Sequence, residues 1–133
     1  MHTNTQVLAR YGIADLALEF PEAEVAILTG PQRQGDVFVL PITTKHKGVP
    51  IGAGVTVVRS EAGQSNTHSL HGTGLWEIAR DTTGLVQGWV TVPAGGEAFL
   101  IHTEEHAAVG IAPGTYEIRR QREFAGEWRQ VAD

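Results

Sequence analysis

The chain has 133 residues with sixteen glycines, no cysteine and a formal net charge of -5. That length makes a single domain able to bury its own core, and the missing cysteines exclude disulfides and thiolate metal sites. The acidic balance argues against general nucleic-acid binding, which rests on neutralising phosphates.

From the N-terminus, Thr5 to Tyr11 carries Val7, Leu8 and Tyr11 at helical spacing, which predicts one short helix. Arg10, Asp15 and Glu19 interrupt the apolar residues that follow, so neither a signal peptide nor a membrane span is expected. The expectation is a cytoplasmic protein. Asp15 to Phe20 alternates like a strand, and Glu24 to Thr29 is a second strand closed by Gly30-Pro31. Asp36 to Ile42 enters through Gly35, and its Pro41 points to an edge or a strand end. Glycine-rich Ile51 to Gly54 leads into Val55 to Arg59. Asn66 to His71 and Leu75 to Ala79 follow as strands separated by Gly72-Thr73-Gly74, a turn or bulge. Val86 to Val92, Ala98 to Thr103, Thr115 to Phe124 and Trp128 to Val131 complete the set. Short strands at close spacing with one helix predict an all-β domain spanning 1–133, either an antiparallel β-sandwich or a small cupin-like barrel.

Phosphate-binding and hydrolase signatures are missing. Gly52-Ala53-Gly54 and Gly72-Thr73-Gly74 open no helix, and no G-x-S-x-G is present. His102-Thr103-Glu104-Glu105-His106 resembles a helical zinc-protease motif, but Thr103 stands where the glutamate belongs. On an extended strand two residues four apart lie ~13 Å from each other, so His102 and His106 meet only if Glu104-Glu105 form a turn. His68 faces the same way as Leu70, and His71 the opposite way beside Ser69, so one histidine of the two joins an inward site. His68, His102, Glu104 and His106 together have the donor chemistry for zinc, iron, manganese or nickel. The competing reading is a set of hydrogen-bonded core or rim histidines. Were the site catalytic, Glu105 would be its general base in metal-assisted hydrolysis or isomerisation.

In the long C-terminal strand, Tyr116, Ile118, Arg120, Arg122 and Phe124 share one face. Two arginines on an apolar face need carboxylate partners or a ligand anion. Glu104 and Glu105 would serve if Pro113-Gly114 folded the two segments into a hairpin; otherwise Arg120 and Arg122 would bind a small anionic ligand through their planar donor forks. Lys45-His46-Lys47 reads as a solvated charge run, and Trp76, Trp89 and Trp128 as core or interface residues.

Gln34-Gly35-Asp36-Val37 together with Glu105-His106, Pro113-Gly114, Tyr116 and Arg120-Gln121-Arg122-Glu123, closing on Val131-Ala132-Asp133, resembles a group of small bacterial and phage proteins. The resemblance implies a compact β domain and carries no activity with it. Two function classes follow: a domain binding a divalent metal and a small anion, or a non-catalytic domain assembling with a protein partner or as a homo-oligomer.

Overall fold

A computed structural model describes residues 2–13, 24–58, 67–81, 84–102, 108–120, 122–124 and 128–130, with the backbone alone for residues 2, 122–124 and 128–130. In chain order come β1 (His2–Thr3), α1 (Asn4–Arg10), β2 (Glu24–Val25), β3 (Ile27–Leu28), β4 (Gln32–Gln34) and β5 (Val37–Ile42). Two long strands follow, β6 (Val49–Val58) and β7 (His68–Ile78). Then come β8 (Val86–Val92), β9 (Ala98–His102), β10 (Val109–Ile111), β11 (Gly114–Arg120), β12 (Arg122–Phe124) and β13 (Trp128–Gln130). The fold is mostly strand with one short N-terminal helix, as the apolar runs and turn residues predicted.

The sheet is organised by β7. One edge pairs with β6 along most of its length. The other edge pairs first with β9, His68 opposite His102 through Gly72 opposite Ala98, and then with β8, Leu75 opposite Thr91 through Ile78 opposite Gly88. Strands β8 and β9 therefore lie end to end along one edge, interrupted by Pro93 to Glu97. Beyond this junction the sheet divides. Strand β8 continues into β11, β5 and β4, while β9 continues into β10 and the parallel β3. The two branches curl toward each other, and the Gln32 Nε2 amide donates to the Gly110 carbonyl at 2.7 Å, tying β4 to β10. The result is a nearly closed barrel with its corner at the division.

Glycine makes that corner possible. Gly72 and Gly74 have φ of +116° and +152°, which L side chains rarely adopt. A Cβ on Gly72 would sit 2.6 Å from the Glu97 carbonyl oxygen, and one on Gly74 2.5 Å from that of Thr91. Their backbones thus approach the two strands between which β7 changes partner. Gly72-Thr73-Gly74 is accordingly a bend within one strand, rather than a separator of two.

The lumen is filled by Val37, Val39, Ile51, Leu70, Trp76, Val90, Val92, Leu100, Ile111, Tyr116 and Ile118. A second cluster covers the outside of β9, where Phe99 and Ile101 pack beneath Val7 and Leu8 of α1 with Val25 and Ala108. Both faces of β9 are therefore buried. Helix α1 starts at a capping box. The Thr3 hydroxyl accepts from Gln6 N–H, and the Gln6 side chain accepts from Thr3 N–H. Asn4 Oδ1 then accepts from Ala108 N–H at 3.0 Å, anchoring the helix to the barrel wall.

Other expectations are revised. Glu24 to Thr29 divides into β2 and β3, which serve different sheets. Pro41 keeps its β11 neighbour, Tyr116, while the pairing of β5 with β4 ends at Val39, opposite Gln32, so Pro41 lies where the β4 side of β5 is open, in keeping with the expected edge position. The predicted strand from Thr115 to Phe124 is two, because β12 leaves the barrel to pair with β13. Pro113-Gly114 forms no hairpin. Strand β10 pairs with β9 and β3, whereas β11 lies between β8 and β5. Asp15 to Phe20 lies outside the described residues.

Candidate functional site

The end of the lumen away from the glycine corner is polar. Gln34, Asp36, His68, His102 and Arg120 are all buried, whereas Val92, Ala98, Ile111 and Tyr116 occupy the corner end. Strand register explains the grouping. His68 and His102 are direct neighbours on β7 and β9, one step beyond the inward pair Leu70 and Leu100. Val37 lies opposite Gln34 on β4 and opposite Arg120 on β11. These three share the inner face, so Gln34 and Arg120 stand at one level, about 10 Å apart as two strand spacings require.

The histidine rings stack with centroids 4.1 Å apart and planes inclined by 29°, at 0% and 1% exposure. Gln34 crosses from the opposite branch to meet them. Its Nε2 donates to the Leu100 carbonyl at 2.9 Å, and His68 Nδ1 lies 2.9 Å from its Oε1. A carbonyl only accepts, which fixes the amide orientation, and Oε1 in turn only accepts. His68 therefore donates from Nδ1 to Gln34 Oε1.

Of the metal ligands expected from sequence, the structure brings His68 and His102 together. Glu104 and His106, with the expected base Glu105, lie outside the described residues. Strand β10 runs antiparallel to β9, with Val109 opposite Leu100. Among the described residues no group of three or more histidine and carboxylate side chains is placed to hold a metal. Arg120 continues the buried face of Tyr116 and Ile118 and is itself buried, while its N–H donates to the Leu85 carbonyl. Arg122 belongs to β12, and its side chain lies outside the described residues.

His71 faces the other way, as strand alternation required. Its Nδ1 donates to the Ala53 carbonyl at 2.7 Å, and its Nε2 pairs with the Ser69 hydroxyl at 2.8 Å. Tyr11, the C-cap of α1, packs against the ring at a tilt of 39°, with centroids 5.0 Å apart. Burial lowers the pKa of His71 below the ordinary imidazole value, with the Ala53 hydrogen bond opposing it. This histidine is a neutral clasp between β6, β7 and α1.

The charge run at Lys45 to Lys47 is only partly solvated. Lys45 and Lys47 are exposed, but the His46 ring stacks flat on Trp89 at 4.1 Å and pairs with Glu77 at 3.1 Å. Trp76 is core, and Trp89 lies on the outer face, donating to Glu117 at 3.3 Å.

Two residues at the polar end, Gln34 and Asp36, were not singled out from sequence as site residues. The available signal was the Gly35-Asp36 pair, a two-residue hairpin connection with Gly35 at φ +61°. It was masked because β4 reads Gln-Arg-Gln, with no apolar residue to mark a strand.

Residues 33–121 match the family described as a domain of unknown function, DUF8820, and the chain belongs to it. The matched span contains Gln34, Asp36, His68, His102 and Arg120 and ends before Arg122. No curated protein and no solved structure matches the chain.

Proposed function

We propose that this DUF8820 domain binds a divalent metal and a small anion at the polar end of its barrel. His68 and His102 are two of the metal ligands, and Glu104 and His106 from the segment after β9 complete the set. Arg120, with Arg122, fixes the anion. The observation that carries the reading is the buried cross-strand histidine pair, two imidazoles side by side on adjacent strands. Zinc, iron, manganese or nickel suits that chemistry. Glu105 is the general base if the bound metal supports hydrolysis or isomerisation. We place the domain in the bacterial cytoplasm, in keeping with its cysteine-free composition; no helix among the described residues is long and apolar enough to cross a membrane.

Elemental analysis of protein purified without tag or chelator tests this. About one metal per chain, lost in His102→Ala and His106→Ala, is the expected result. No bound metal, even after incubation with each of the four ions, overturns it.

A second reading, assembly with another copy or a protein partner, draws on the outer surface. Among the described residues β6 pairs through one edge only, and Val49 and Ile78 are 60% and 64% exposed. A concentration-dependent mass in solution, unaffected by chelator, would favour it over the metal site.

A further inference from the structure

We infer that Ser69 and His71 form a nucleophile–base pair on the outer face of β7, which takes an acyl group from an aryl ester or thioester. This is a second chemistry at a second place, and it needs no metal.

Strand alternation puts residues two apart on one face, so Ser69 and His71 stand side by side on β7. His71 Nδ1 lies 2.7 Å from the Ala53 carbonyl, which only accepts, so Nδ1 carries the ring proton. Burial favours the neutral ring by lowering the pKa of His71 below the ordinary imidazole value. The lone pair is then on Nε2, and the Ser69 hydroxyl donates to it at 2.8 Å. A serine hydroxyl donating to an oriented, neutral imidazole is the arrangement that activates it as a nucleophile. Such a pair is recognised by geometry and roles, so the missing G-x-S-x-G does not count against it.

The ring is held in place by its surroundings. Tyr11 packs against it, and the β6 bulge between Gly52 and Val55 closes on it. A Cβ on Gly54 would fall 2.6 Å from His71 Cε1. Exposure divides the pair: His71 is 6% exposed, whereas Ser69 is half-buried. The base is thus dry, and the nucleophile stays open to a small reagent. Thr56, the register partner of Ser69 on β6, shares this face and is exposed. It brings a hydroxyl donor for the developing oxyanion.

In the first step Ser69 Oγ bonds to the acyl carbon while its proton passes to His71 Nε2. The bond to the leaving oxygen or sulfur breaks, and that atom takes the proton away. Water then attacks the acyl-serine, giving its proton to His71, which returns it to Ser69 Oγ as the acid leaves. A neutral carbonyl stands behind the ring, where a triad places a carboxylate. It stabilises the imidazolium less, which limits the pair to acyl donors with a weakly basic leaving group.

The test incubates the full chain with p-nitrophenyl acetate, with and without EDTA. It follows p-nitrophenolate release and locates the acetyl group by peptide mass. Expected are a burst of about one equivalent per chain, acetyl on Ser69, and no effect of EDTA. Ser69→Ala should abolish the burst, and His71→Gln should slow it by about 10²–10⁴-fold, the usual worth of a general base. Because the neutral ring is the base, the wild-type rate should rise with pH and level off, with a midpoint below 6.5. Acetyl groups on lysines or other histidines with Ser69 unmodified overturn the inference. So does an undiminished burst in Ser69→Ala, or a wild-type rate still climbing at alkaline pH. An unslowed His71→Gln whose circular dichroism shows it folded does the same. Should that variant not fold, the wild-type pH midpoint decides the role of His71. A burst that EDTA abolishes would move the chemistry to the metal reading and refute this one.

Discussion

Gly72→Ala tests the idea that the barrel corner depends on backbone contact at the point where β7 changes partner. Alanine at φ +116° is strained by about 1–3 kcal/mol. Its Cβ would also fall 2.6 Å from the Glu97 carbonyl oxygen and 3.0 Å from Ala98 Cα, both backbone atoms with no rotamer to yield. Relieving that contact means moving the segment whose Glu97 carbonyl accepts from Thr73 N–H at 2.9 Å. Overpacking of this kind costs roughly 1–3 kcal/mol more. The sum, about 2–6 kcal/mol, is a large share of the ~5–15 kcal/mol that holds a domain folded. Gly52→Ala is the control. It has φ +54° with nothing within 4 Å of the added atom, so only the left-handed penalty of about 1–2 kcal/mol applies. With a urea slope near ~2 kcal/mol/M, the midpoint should fall by ~1–3 M for Gly72→Ala and by ~0.5–1 M for Gly52→Ala. Equal losses in the two variants would refute the close-approach argument, because the two sites differ chiefly in what the Cβ meets.

Two further outcomes follow from the outer face. His71 is neutral when folded because burial lowers its pKa, so the unfolded chain binds the extra proton. Its contribution is complete above the unfolded value of 6.5 and is lost as pH falls from there through the lowered folded value. Urea midpoints between pH 7 and 5 should therefore fall more steeply for the wild type than for His71→Gln, and identical slopes would sink the assignment. Asn4→Ala removes the acceptor of Ala108 N–H, a bond buried at both ends, and should cost about 1–3 kcal/mol. Its thermal midpoint should drop by about 3–10 °C, and an unchanged midpoint would mean α1 is not anchored there.

Much of the fold was legible from alternation and glycine. Leu70 against His71 and Tyr116 against Glu117 fall on the faces their spacing predicts. What sequence could not show was how strands share edges. Gly72 and Gly74 look the same in sequence whether they end a strand or bend it, and only the pairing with both β8 and β9 distinguishes the two. The Pro113-Gly114 pair misled for a related reason. A turn signal gives the place of a reversal and says nothing about which strand is met afterwards. At the site, His68 and His102 were expected from facing and donor chemistry. Gln34 entered only through the resemblance and not as a site residue, because a polar residue on a polar three-residue strand carries no periodic signal, and its burial depends on the opposite branch closing over it.

The two ends of the lumen bear on what the polar cluster is for. At the corner end, Val92, Ala98, Ile111 and Tyr116 close the barrel with mainly apolar side chains, and the Tyr116 hydroxyl donates to the Ala112 carbonyl at 2.7 Å. The same two branches meet at the other end, where packing alone could be met by residues of that kind. Instead that end buries an amide, a carboxylate, a guanidinium and two imidazoles, each of which costs free energy to desolvate until its polar atoms are satisfied. Apolar residues of similar volume often replace buried polar sets with no loss of stability. A conflict between local chemistry and core packing that is confined to one end is the pattern expected of a site. The Gln34 amide sharpens the point. Its contacts with Leu100 and His68 hold a ring of one branch against a side chain of the other, a polar link that closure of a barrel by packing alone does not require.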